Sequence, residues 1–183
     1  MDLAWSYLGE GKMSDAMKTL DAAEATAKEK NLEVAYANAP LERAYFLTLA
    51  GDAKKALPLI DEAMKRATAS NLTGAPLASI TRTSMLGRVE AYSKLGKAKE
   101  ATDALAAYEA EMAKALSTPA RVSQLAYARG SAALAAKDYK VAAEQFAACG
   151  PDDLMAHLQH VRALKLGGDN DAGAVLRKSY TDS

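Results

Sequence analysis

Two histidines, His157 and His160, stand three residues apart, with Asp153 four residues before the first. On a helix these spacings bring the three side chains toward one face, and such a donor set could hold a divalent metal. Zinc needs three or four converging ligands, and a triplet this short recurs by chance. The expectation is a helix with one surface histidine and one interhelical histidine, and no metal. Cys149 is the only cysteine, so no intrachain disulfide can form and the redox compartment stays open. It stands where a small residue would fit between helices, just before Gly150-Pro151, and is expected to be a buried, inert thiol rather than a nucleophile. The carboxylate pairs Asp61-Glu62 and Asp152-Asp153 read as solvent-facing charge or helix-start dipole partners, not as an acid and a base. Gly167-Gly168 lacks the Lys-Thr that would follow in a phosphate-binding loop. No catalysis and no cofactor are expected.

Charge excludes further classes. Lysine plus arginine equals aspartate plus glutamate at 23 each, so no net field draws the 183-residue chain to nucleic acid or an anionic membrane. Lys54, Lys55, Lys65 and Arg66 do form a basic stripe on a helix. Asp61 and Glu62 lie inside it, and i,i+4 pairs from Asp61 to Lys65 and from Glu62 to Arg66 account for it. No run of about eighteen apolar residues is present, so no membrane insertion is expected. The N-terminus lacks a basic and a long apolar region, hence no signal peptide. A cytoplasmic location is the default, with a periplasmic or secreted one open if a leader was removed.

The elements that carry these residues are helices. Alanine occurs 42 times, while β-branched and aromatic residues are sparse, which favours closely approaching helices and almost no sheet. A phrase recurs, as in LAGDAKKALPLIDEA from Leu49 to Ala63. Aligned on turn residues Gly11, Gly51, Gly96, Lys137 and Gly167, a small residue follows five positions on, at Ala16, Ala56, Ala101, Ala142 and Ala172. A large apolar residue follows four later, at Leu20, Ile60, Leu105, Phe146 and Leu176. Seven positions before the turn stand Ala4, Ala44, Val89, Gly130 and His160, and four before it Tyr7, Leu47, Tyr92, Ala133 and Ala163. Two helices joined by a tight turn cross closely, so small side chains are needed where backbones meet and a large one fills the space between pairs. No single pair buries its apolar stripe alone, so pairs must stack.

Helices are expected near 2–9, 13–29, 33–50, 53–69, 75–95, 98–116, 119–136, 139–149, 152–166 and 169–180. Thr118-Pro119 reads as a cap and first helical residue, with Gly74-Ala75-Pro76 and Gly150-Pro151 similar, while Asn31 and Asn71 mark helix ends. Pro40 and Pro58 fall inside helices, where each removes a hydrogen bond and should kink the helix. The first helix is short and the last carries Val175 and Leu176 with no polar helix after them. Such ends suggest a segment of a longer repeat protein, or ends covered by a partner or a second copy.

This pattern resembles the tetratricopeptide repeat family, in a long-helix variant with units beyond 40 residues and no tryptophan at the family's first signature position. The likeness spans nearly the whole chain, most clearly through Gly51, Gly96 and Lys137. The doublet Gly167-Gly168 leaves the last register open by one residue, and His160 fits a small-residue position poorly. The resemblance implies an all-α, right-handed α-solenoid of about five antiparallel helix pairs, forming a single domain over 1–183. It also implies a concave groove lined by the first helix of each pair: Trp5, Leu41, Tyr45, Thr48, Leu86, Glu90, Lys94, Gln124, Tyr127, Ser131, His157 and Lys165. Trp5, Tyr45, Glu90, Lys94, Gln124, Tyr127 and His157 are the candidate binding residues, suited to an extended or helical peptide with apolar anchors. The Lys and Asn set with which some family members clamp a C-terminal carboxylate is missing. The chain is thus read as a non-enzymatic scaffold for a protein or peptide, with a homo-oligomer through the raw ends open. The alternative is a ligand- or peptide-sensing regulatory domain of a larger signalling or transcription protein. A closed pocket at Tyr45, Glu90 and Tyr127 would favour that alternative. The alanine content suggests a bacterial source.

Overall fold

Helix-favouring segments punctuated by residues that tolerate a left-handed backbone fold here as a chain of helices. The computed structural model describes residues 2–114, 116–150, 153–169 and 173. Among these it holds nine α-helices and no strand: α1 (Asp2–Gly9), α2 (Met13–Glu29), α3 (Glu33–Leu49), α4 (Ala53–Ala69), α5 (Gly74–Lys94), α6 (Ala98–Met112), α7 (Pro119–Ala135), α8 (Tyr139–Ala147) and α9 (Leu154–Leu166). The chain is all-α, as its composition predicts. The tenth expected helix, 169–180, lies almost wholly outside the described residues. Three ends fall short of expectation: α6 stops at Met112, α8 at Ala147, and α9 starts at Leu154 because Asp153 caps it, accepting from the Ala156 N–H at 3.0 Å. Thr118 caps α7 as expected, accepting from the Arg121 N–H at 3.3 Å.

Seven of the nine described helices, all but α6 and α8, end in the same device. Gly11, Gly51, Gly96, Lys137 and Gly168 have positive φ, as do Asn31 and Asn71. The N–H after each left-handed residue donates to the carbonyl five residues back, as from Lys12 to Tyr7, Asp52 to Leu47 and Asp169 to Leu164. This closes the helix with its last carbonyls satisfied. At the last turn the left-handed residue is Gly168, whereas Gly167 keeps a right-handed backbone at φ −78°. The register therefore moves on by one. Val161, which is buried, then replaces His160 at the small-residue position, and the poor fit disappears.

The recurrent small residues sit where the pattern requires. Ala16, Ala56, Ala101 and Ala142 are fully buried, and so are Ala4 and Val89 on the preceding helices. At Gly130 the approach is closest: a Cβ there would lie 2.8 Å from the Phe146 ring. The core is a series of four clusters. Phe46 joins α1, α2 and α3; Leu41, Ile60 and Ile80 join α3, α4 and α5; Val89, Tyr108 and Ala132 join α5, α6 and α7; Phe146 and Ala163 join α7, α8 and α9. Every helix packs on its sequence neighbours, and α5 also packs on both α3 and α7. Burial is local along the chain, one hairpin plus the next helix at a time.

Helices α3 and α4 run through Pro40 and Pro58 uninterrupted. Pro58 is exposed, but Pro40 is buried and leaves the Tyr36 carbonyl without its helical donor. Arg66 of α4 supplies it, donating Nη1 to the Tyr36 oxygen at 3.2 Å with its guanidinium 4.3 Å above the Tyr36 ring. The same guanidinium pairs with Glu24 at 2.6 Å and Glu62 at 3.0 Å, and Arg43 pairs with Glu24 and with Asp21. The expected Glu62–Arg66 pair is present. Asp61 instead meets Arg88 of α5 at 2.6 Å, not Lys65, because the next hairpin brings a guanidinium within reach.

Candidate binding groove

Tyr45, Glu90, Ser131 and Arg162 stand six residues before the left-handed turns Gly51, Gly96, Lys137 and Gly168. The same step along α3, α5, α7 and α9 directs all four to a common side. There the helices line two adjoining cavities of about 310 and 320 Å³, which share Tyr45, Thr48, Glu90 and Tyr127. The first is walled by Leu41, Leu86, Gln124, Asp153 and Met155 in addition to the shared residues. The second continues over Ser93, Lys94, Ser131, Gln159 and Arg162.

Of the candidate binding residues, the structure brings together Tyr45, Glu90, Lys94, Gln124 and Tyr127. Leu41, Thr48, Leu86 and Ser131 of the broader groove join them. Trp5, His157 and Lys165 line neither cavity. Trp5, itself exposed, instead packs against Tyr45 and Phe46, its ring 5.5 Å from that of Tyr45 and 4.8 Å from that of Phe46. Tyr127 is backed in the same manner by Phe146 at 5.5 Å. His157 and Lys165 stand ten and two residues before Gly167; from Gly168 the same offsets fall on Leu158, which lines neither cavity, and Leu166, which lines the second. Met155 and Arg162 stand thirteen and six residues before Gly168, the places that Gln124 and Ser131 hold before Lys137, and they complete the wall in the last hairpin.

Glu90 is the electrostatic centre. Enclosure of its carboxyl raises its pKa from 4.5 to about 7; Asp153 adds to the rise, while hydrogen bonding from Tyr127 and the charge of Lys94 work against it. Burial also pushes Tyr45 up to about 12, with Glu90 and Asp153 contributing, and pushes Tyr127 up further for the same reasons. Both phenols are protonated donors. Burial lowers Lys94, and the nearby Arg162 lowers it again, against the attraction of Glu90. Thr48 is buried with its hydroxyl committed to the Ala44 carbonyl at 2.8 Å, so it shapes the floor rather than binding.

Cys149 is half-buried rather than buried, with its Sγ 3.5 Å from the Ser123 carbonyl and its pKa raised by burial, so the thiol form dominates. Among the described residues no group of three or more His, Cys, Asp or Glu side chains converges as a metal site, and Asp153 is engaged as the α9 cap. No described helix is long and apolar enough to cross a membrane. No family model matches the chain, and no curated protein or solved structure is significantly similar to it.

Proposed function

We propose that this chain is a protein-interaction module of the tetratricopeptide type. In this reading about five helix hairpins form a right-handed curved stack. Its inner face holds an extended segment of a partner protein, and no chemistry is performed on it. The observation that carries the proposal is the convergence of Tyr45, Glu90 and Tyr127, from three successive hairpins, on one pair of joined cavities. Cavities of about 300 Å³ suit anchoring side chains, and protonated tyrosines offer both an apolar face and a donor. The serial core agrees, since stacked hairpins bury apolar surface only against their neighbours.

The test is an affinity pull-down with the intact chain beside a Tyr45→Ala/Tyr127→Ala double variant of unchanged helicity. Loss of the wild-type prey from the variant supports the groove. Retention of every prey places binding elsewhere on the molecule. A second reading, a sensing domain of a larger regulator, draws on the enclosure of Glu90 at the meeting point of the cavities. It predicts that a small ligand alone raises the melting temperature.

A further inference from the structure

The groove is electrically divided. Its first cavity carries two carboxylates, Glu90 and Asp153, between Tyr45 and Tyr127, and no lysine, arginine or histidine lines it. The second carries Lys94 and Arg162 from facing helices, with Lys137 at its edge and Glu90 as its single acid. Among the described residues neither Lys94 nor Arg162 belongs to any ion pair. Arg162 donates a hydrogen bond, among the described residues, only to the Gln159 side-chain oxygen, at 3.4 Å. Beside them the Ser93 hydroxyl is buried with no partner. Two cations repelling each other in a half-enclosed space, next to an unsatisfied donor, leave a place for an anion. Two carboxylates between aromatic walls leave a place for a cation.

Spacing joins the two. Lys94 follows Glu90 by one helical turn, a rise of about 6 Å. An extended peptide presents residues i and i+2 on one face about 6.6 Å apart. We propose that the groove recognises an extended partner segment carrying a basic and an acidic side chain two residues apart. The basic one seats against Glu90 and Asp153 between the tyrosines, and the acidic one against Lys94 and Arg162. This rests on the groove-binding reading above and names the partner's chemistry. Each guest charge meets opposite charges that form no ion pair with one another in the fold, and a like-charged segment repels one half of the groove whichever way it lies.

The experiment titrates the full, isotopically labelled chain with blocked nonapeptides in one neutral host sequence, followed by NMR. Their central triplets are Lys-Ala-Glu, Glu-Ala-Lys, Lys-Ala-Lys, Glu-Ala-Glu and Gln-Ala-Gln. At least one mixed-charge peptide should bind tenfold or more tighter than all three others, shifting the Tyr45 and Tyr127 resonances. Lys94→Gln with Arg162→Gln should abolish that margin. Like-charged or neutral peptides binding as tightly as the mixed ones would overturn the charge pattern while leaving the groove reading standing. If no peptide shifts those resonances, both fall. The wild-type series decides the matter even if the double variant does not fold.

Discussion

Charges are gathered at two places in this molecule, and they are handled in opposite ways. Between α2, α3 and α4, Glu24, Arg43, Glu62 and Arg66 are closed into ion pairs, and Arg66 also takes up the carbonyl that Pro40 orphans. Between α3, α5, α7 and α9, Glu90, Asp153, Lys94 and Arg162 are similarly crowded, yet form no ion pair with one another. The first cluster pairs its charges within itself, leaving the buried Arg43 Nε without a hydrogen-bond partner, and ties neighbouring helices together. The second holds its charges unpaired, at a cost in folding free energy, and in the proposed reading they are what the groove offers a partner. Local instability of this kind is a common mark of a binding site.

The contrast predicts opposite signs for mutation. Arg66→Ala should destabilise by about 2–4 kcal/mol in urea unfolding, because Glu24 loses a partner in a mostly buried setting and the Tyr36 carbonyl is left bare. A loss below half a kcal/mol would mean that the cluster is merely decorative.

Glu90→Gln should do the reverse. The folded carboxyl holds its proton up to about pH 7, whereas the unfolded one releases it near 4.5. The folded state therefore binds more protons across that window, and stability falls as pH rises from 4.5 to 7 before levelling off. The variant should gain roughly 1–3 kcal/mol at pH 8, nothing near pH 4, and lose most of the slope between. A flat wild-type profile across this window would place Glu90 among ordinary solvated carboxylates.

A smaller effect separates the two duties of Arg66. Pro40→Ala restores an N–H for the Tyr36 carbonyl, so in that background the cost of Arg66→Ala should shrink by about 1 kcal/mol. Additive costs would show that the carbonyl contact contributes nothing. Smallest of all, Lys137 holds φ at +62° where the other hairpin turns use glycine, and Lys137→Gly should stabilise by about 0.5–1 kcal/mol. An unchanged urea midpoint would show that the turn is not strained.

Much of the helical layout was legible because its signals are local. The left-handed residues Gly11, Asn31, Gly51, Asn71, Gly96, Lys137 and Gly168 each close a helix, and the alanine five residues after the turn is buried at Ala16, Ala56, Ala101 and Ala142. The groove was half legible. Tyr45, Glu90, Lys94, Gln124 and Tyr127 follow from counting back from unambiguous turns. Arg162 depends on which of two adjacent glycines is the turn, and only backbone geometry distinguishes Gly167 from Gly168; Asp153 and Gln159 stand fifteen and nine residues before Gly168, offsets that none of the sequence-predicted groove residues share. Local counting finds Glu62 beside Arg66, but the pairs of Asp61 with Arg88 and of Arg66 with Glu24 lie beyond it, since each joins two helices.

Periodicity, turn chemistry and alanine spacing dictated that this chain be helical hairpins, because each of those preferences acts over a few residues of backbone. Which charges met and which stayed apart depended on how the hairpins were set against one another. Charge pairing is decided by distances of a few ångströms between side chains far apart in the chain, and no local preference encodes them.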